Sequence, residues 1–282
     1  MKHLTSEPTT SVPGSNQPKR HALFDKRVLM FPLSFPLLLL FVLPAAVPFY
    51  LFLDNKEVIN SVSTIVGSIL LVVWYQFHFR KELGSIFNWS TLGMVLVAPG
   101  ILLALPNLKD IAESWGNLNP IPVSLLMAAA PGISEEIVFR GIPISNWMRV
   151  SCTKRGILPC IILSGVVFGV IHGLNGMLGA DVPSTVFQVG YATCLGVFLA
   201  AVFLRGGSLW PCILLHTLID FTAFLAMDLE AGGLITEALE YDLSFYATVI
   251  ASVILLVLGI YMVRPSKQGE IVSLWEKMTH RA

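Results

Sequence analysis

Uncharged apolar runs long enough to cross a bilayer recur along almost the whole of this chain, and no other feature constrains its fold so strongly. A helix needs about 20 residues to cross the hydrocarbon core. Stretches at 28–53, 58–79, 86–106, 120–148, 156–180, 182–204, 206–227 and 243–263 meet that length. Only 13% of the residues are Asp, Glu, Lys or Arg while 55% are hydrophobic, a charge content about half that of soluble domains. The expected fold is therefore an all-α integral membrane protein with about eight transmembrane helices around a polar intramembrane cavity. Pro99, Gly100 and Pro106 mark the third run as a broken or re-entrant helix. The first run is too long for a signal-peptide core and lacks a small-residue cleavage site, so it reads as an uncleaved anchor.

Three regions follow: a basic tail at 1–27, a transmembrane domain at 28–263 and a cytoplasmic C-terminal tail at 264–282. The first tail is rich in Ser, Thr and Pro and is expected to be disordered. No internal repeat and no separate soluble domain is evident. Eighteen Lys and Arg balance eighteen Asp and Glu, so no excess charge points to nucleic acid. Their placement is informative. With sides assigned alternately, sixteen of the eighteen basic residues collect on one side, leaving only Lys56 and Lys109 on the other beside ten acids. By the positive-inside rule both termini are expected in the cytoplasm. Cys152, Cys160, Cys194 and Cys212 form no C-x-x-C pair and read as small core hydrophobes.

Ionisable residues that fall inside apolar runs are costly enough to be functional candidates. Here they are Glu135, Glu136, Arg140, His172, His216 and Asp220. His78 lies at a helix end among aromatics and reads as interfacial. In "PGISEEIVFRGIP", Glu136 and Arg140 stand at i,i+4, where opposite charges meet on a helix, and Glu135 points about 100° away. Pro131 is expected to loosen the helix just before the acids. In "SGVVFGVIHG", Ser164, Phe168 and His172 line one strip, while Gly165, Gly169 and Gly173 line the next and invite a close neighbour. In "LWPCILLHTLIDFTAF", His216 and Asp220 share a face. Either the carboxylate orients the imidazole, or both reach one metal ion or water, or the pair is an interhelical clamp.

Counting about 1.5 Å per residue from the cytoplasmic boundary, with Met148 as the fourth helix's end, puts Glu135 and His172 roughly 20 Å deep and His216 roughly 15 Å deep. Groups at one level suit water activation: a carboxylate takes the proton, a histidine positions the water, and a further polar pair stabilises the oxyanion or holds a metal ion. No H-E-x-x-H, no G-x-S-x-G and no paired intramembrane Asp motif occurs.

The ordered trio E-E-x-x-x-R (Glu135, Glu136, Arg140), F-x-x-x-H (Phe168, His172) and H-x-x-x-D (His216, Asp220) resembles the CPBP family, the CAAX-protease and bacteriocin-processing or Abi family, which includes Rce1-type prenyl endopeptidases. The resemblance covers residues 120–225. It implies a helical intramembrane endopeptidase acting on a membrane-associated protein or peptide. It further implies Glu135 as water-activating base, His172 as a holder of that water, His216 and position 220 as oxyanion stabilisers, and Glu136, Arg140 and Phe168 as support. Rce1-type proteins have Asn where this chain has Asp220. An amide donates to an oxyanion and an ionised carboxylate does not, so Asp220 reads as a protonated acid, an orienting partner for His216, or a metal ligand. Glu135, His172, His216 and Asp220 would be the ligands of one divalent ion such as zinc, if the mechanism is metal-assisted rather than glutamate-dependent.

Two other classes accommodate the same residues. A proton-coupled transporter also buries such groups, although no repeat relates the halves here. A non-catalytic immunity or scaffold protein would bind a peptide in the same cavity. Short loops and the N-terminal basic bias point to a bacterial inner membrane.

Overall fold

The computed structural model describes residues 26–79, 85–227 and 238–279. The expected disordered tail, Arg80, Lys81 and most of the acidic 228–242 loop lie outside the described residues. Among the described residues all regular structure is helical. In chain order come α1 (Lys26–Tyr50), α2 (Lys56–Phe79), α3 (Thr91–Val97) running into a 3₁₀ segment (Ala98–Leu103), α4 (Asn107–Glu113) and α5 (Ile121–Glu136). A π-helical turn (Ile137–Gly141) leads into α6 (Ile142–Val150), followed by α7 (Lys154–His172), α8 (Leu174–Met177), α9 (Val182–Gly206), α10 (Trp210–Phe224), α11 (Leu243–Met262) and α12 (Pro265–Thr279).

The eight apolar runs all return as helix, but not as eight equal spans. Six helices are long and apolar enough to cross a membrane, with α5, the π turn and α6 forming one of 30 residues. The third run is broken as its prolines and glycine predicted: Thr91–Leu103 and Asn107–Glu113 meet at a 55° bend. The seventh run keeps only the 15 residues of α10, about 22 Å of helix against a core about 30 Å thick.

Contacts sort the connecting segments to two ends. At one end Leu209 N–H donates to Ile86 O (2.8 Å) and the Trp210 indole to Phe87 O (2.8 Å). There the Cys152 thiol also reaches Val272 O at 3.5 Å. At the other end Lys109 pairs with Asp242 at 2.6 Å, and Asn119 N–H donates to Leu225 O at 2.9 Å. The residues after 264 form α12, which lies against the first end. It buries Ile271 and Trp275, and the Trp275 indole donates to Leu204 O at 3.0 Å. Outside the spans, Lys267 and then Arg205 hydrogen-bond Glu270 and hold its carboxyl down at about 2.

Helix α9 is the centre of the bundle, with every residue from Leu195 to Leu204 buried. It ends at Gly207, whose φ of +64° is the left-handed cap that a glycine adopts without strain. Outward-facing Leu40, Leu43, Val170, Val186 and Val257 are exposed, as lipid-facing side chains are. Since lipid is as apolar as the side chains, packing rather than hydrophobicity joins the helices, and small residues allow it. The glycine strip of α7 meets α9: a Cβ on Gly165 would lie 2.7 Å from Val197 N, and one on Gly169 would lie 1.9 Å from Thr193 Oγ1 and 2.7 Å from Val189 O. A Cβ on Gly132 of α5 would similarly lie 2.2 Å from Thr217 Oγ1 of α10. Gly190, by contrast, faces open space. Gly169→Ala should therefore destabilise by about 1–3 kcal/mol through overpacking, whereas Gly190→Ala should leave stability unchanged or raise it. Thermal unfolding of both variants in detergent checks the difference.

Candidate active site

The α5–α6 span is widened where it carries its acids. Ile142 N–H bonds back to Ile137 O, five residues earlier, so the turn after Glu136 is π-helical. The expectation that Pro131 loosens the helix is corrected here: α5 runs through Pro131 unbroken, and the widening falls at Ile137–Gly141. Pro143 gives the reason, because it has no N–H and its ring would clash with the carbonyl four residues back, that of Phe139. The wider turn relieves that clash. The Phe139 carbonyl takes a hydrogen bond from Ser164 Oγ of α7 at 2.9 Å instead, which ties the α7 strip to the acidic turn.

Glu136 and Arg140 are both completely buried and pair at 2.6 Å, Arg140 Nη1 to Glu136 Oε1, as their spacing predicted. The same oxygen accepts a second hydrogen bond from His216 Nδ1 at 2.9 Å. That contact, between residues 80 positions apart, has no signal in local spacing. It assigns the Nδ1 proton, because a carboxylate only accepts. The ring then presents Nε2 to two more carboxylates, Asp220 Oδ2 at 3.5 Å and Glu135 Oε2 at 3.7 Å. Asp220, the neighbour expected from the i,i+4 spacing, is thus the more distant partner, and Glu136 orients the imidazole.

Phe168 holds the remaining members. The Arg140 guanidinium lies over its ring, 4.0 Å from the centroid, a cation–π contact. His172 and His216 both meet the ring edge-on, at 4.7 and 5.7 Å between centroids. His172 donates Nδ1–H to Phe168 O at 2.7 Å, which leaves its Nε2 free. All six expected ionisable residues and Phe168 therefore belong to one cluster. His78 stays out of it: its Nδ1 bonds Trp74 O at 3.0 Å, and its ring stacks on Trp74.

Burial divides the acids. Glu136 is wholly enclosed, while the side chains of Glu135 and Asp220 keep 24% and 25% of their exposure. Glu135 Oε2 is itself shielded and has no hydrogen-bond partner in the protein. Among the described residues no three of His, Cys, Asp and Glu converge closely enough to hold a metal ion. The donors as they stand do not fit a bound divalent cation.

Residues 117–222 match the family model described as type II CAAX prenyl endopeptidase Rce1-like. The similarity to that family is confined to this stretch. No curated protein and no solved structure matches. The matched region runs from just before α5 into the last turn of α10 and contains every residue of the cluster. It supports a protease role for an integral, multi-pass membrane protein.

Within the matched region the two neighbouring glutamates are not equivalent. Glu136→Gln removes the charge that compensates buried Arg140, and losing one partner of a buried pair costs about 3–5 kcal/mol. Glu135→Gln touches no such pair and should keep wild-type stability. Thermal unfolding of the two purified variants should show a large drop for the first alone.

Proposed function

We propose that the chain is an intramembrane endopeptidase that hydrolyses a peptide bond of a membrane-associated protein or peptide, with Glu135 as the general base. The observation that carries this reading is the Glu135 carboxylate, whose shielded Oε2 has no hydrogen bond, beside an imidazole whose other nitrogen is fixed by Glu136. Water held by Glu135 and by the free Nε2 of His172 gives its proton to the carboxylate as its oxygen bonds to the scissile carbonyl carbon. Carbonyl π electrons move onto oxygen. The C–N bond then breaks as Glu135 returns the proton to the departing amine, so no net proton is consumed. His216 presents Nε2 at the same place, and a proton there donates to the oxyanion.

The family described as cleaving prenylated tails sets one candidate substrate class, and the lipid bilayer is the medium in which any substrate would arrive. The basic-residue sorting supports a bacterial inner membrane with both termini cytoplasmic. Reporter fusions at the C-terminus and in the 228–242 loop should report opposite sides. For the chemistry, purified protein in liposomes is mixed with a pool of membrane-anchored peptides, prenylated C-a-a-X peptides included, and products are identified by mass spectrometry. Wild type should cleave. Glu135→Gln should lose at least about a hundredfold in rate, as removal of a positioned base does, while remaining folded. A Glu135→Gln variant that cleaves at the wild-type rate would exclude this role.

A further inference from the structure

We infer that Ser164, on α7, is a positioning residue for the proposed hydrolysis: its hydroxyl fixes the peptide unit that carries Arg140, and through Arg140 and Glu136 it sets the ring of His216. The inference rests on the hydrolase reading and extends it to a side chain outside the reacting groups.

A serine within a helix commonly bonds the carbonyl four residues back in its own helix, as Ser63, Ser68 and Ser252 do here. Ser164 departs from that pattern. Its hydroxyl donates instead to Phe139 O at 2.9 Å, 25 positions away in the π turn. Both side chains are buried, so water does not compete for the bond. Pro143 explains why the carbonyl needs a donor from another helix, because a proline has no N–H to offer the residue four positions earlier. The Ser164 hydroxyl supplies a donor in its place.

The Phe139 carbonyl and the Arg140 nitrogen belong to one planar peptide, so fixing the first fixes the plane from which the Arg140 side chain departs. One turn along α7, Phe168 holds the same two residues by their side chains. Its ring lies edge-on to Phe139 at 5.3 Å between centroids and 4.0 Å from the Arg140 guanidinium. Arg140 has few other restraints: its Nε and Nη2 have no hydrogen-bond partner in the protein, and Nη1 is committed to Glu136 Oε1 at 2.6 Å. That oxygen is also the acceptor of His216 Nδ1–H at 2.9 Å. A peptide free to rotate between 139 and 140 would draw the guanidinium away from Glu136, and the carboxylate would then hold the imidazole less firmly. His216 Nε2 would lose its fixed direction toward Asp220 and Glu135, now 3.5 and 3.7 Å away. Ser164 thus acts on the site only through Arg140, Glu136 and His216.

The test compares Ser164→Ala with the double variant Ser164→Ala/Pro143→Ala in the liposome assay with the peptide pool described above. Ser164→Ala should lower kcat by about 10–100-fold with KM unchanged, the effect of a small misplacement at a reacting centre. Its thermal unfolding midpoint should fall by several degrees, because a buried carbonyl loses its donor. Pro143→Ala returns an N–H to the Phe139 carbonyl, so the double variant should regain the midpoint and stay folded even where the single variant does not. Its carbonyl then points along the helix and not toward α7, so kcat should stay low. In protein carrying ¹⁵N-histidine, the Nδ1 proton of His216, recognised by its absence from His216→Gln, should resonate far downfield in wild type, as a proton held by a carboxylate does, and move upfield in both variants. Wild-type kcat in Ser164→Ala, recovery of kcat together with the midpoint in the double variant, or an unmoved His216 signal would overturn the assignment. Absence of cleavage by the wild-type chain would instead overturn the hydrolase reading, while the His216 signal would still decide whether Ser164 sets the ring.

Discussion

One carboxylate oxygen, Glu136 Oε1, holds the site together. It accepts from the Arg140 guanidinium at 2.6 Å and from His216 Nδ1 at 2.9 Å, joining α5, the π turn and α10 at a point without exposure to solvent. Desolvating a guanidinium, a carboxylate and an imidazole is costly, and only mutual hydrogen bonding offsets it. Arg140 gains a second contact in the ring of Phe168, which is weakly hydrated and suits the flat cation. Committed in this way, Glu136 cannot also accept a proton from water without releasing Arg140. The neighbouring Glu135 is the acid with freedom to do so, and the difference between two adjacent identical side chains follows from a rotation of about 100° on a helix.

Close packing delivers the other helices to that point. The cluster spans α5, α7 and α10, and each approach is set by small residues. Gly132 admits Thr217 of α10, and Gly165 and Gly169 admit Val197 and Thr193 of α9. The last pair sets α9 closely against α7. The glycines act on chemistry through distance, because a Cβ at Gly169 would collide with a backbone carbonyl as well as with a side chain.

The bilayer-spanning character and the i,i+4 pairs were legible in the sequence because both depend on periodicities of a single helix. The broken third run was legible for the same reason, since proline and glycine act locally. Three things were not. The Glu136–His216 bond joins residues far apart in the chain, and local spacing favoured Asp220. The π turn arises from Pro143, whose effect reaches back to Phe139 and is completed by Ser164 on another helix. The apolar run from 206 to 227 suggested a full crossing, yet Leu225, Ala226 and Met227 continue the hydropathy without continuing the helix.

The shortness of α10 places a helix end close to the polar cluster. A helix that ends early leaves its last carbonyls without partners, and in hydrocarbon each such group costs several kcal/mol. Here two asparagines, Asn107 at the start of α4 and Asn119 just ahead of α5, supply donors. Asn119 Nδ2 donates to Phe224 O and Met227 O at 2.8 and 2.7 Å, and Asn107 Nδ2 donates to Ile219 O at 3.3 Å and to Thr222 Oγ1 at 2.9 Å. Capped by these amides, α10 can stop one turn beyond Asp220. Near that end Glu135 and Asp220 keep about a quarter of their exposure. The broken third run, with no acid or histidine in the cluster itself, therefore bears on the site by fixing where α10 ends.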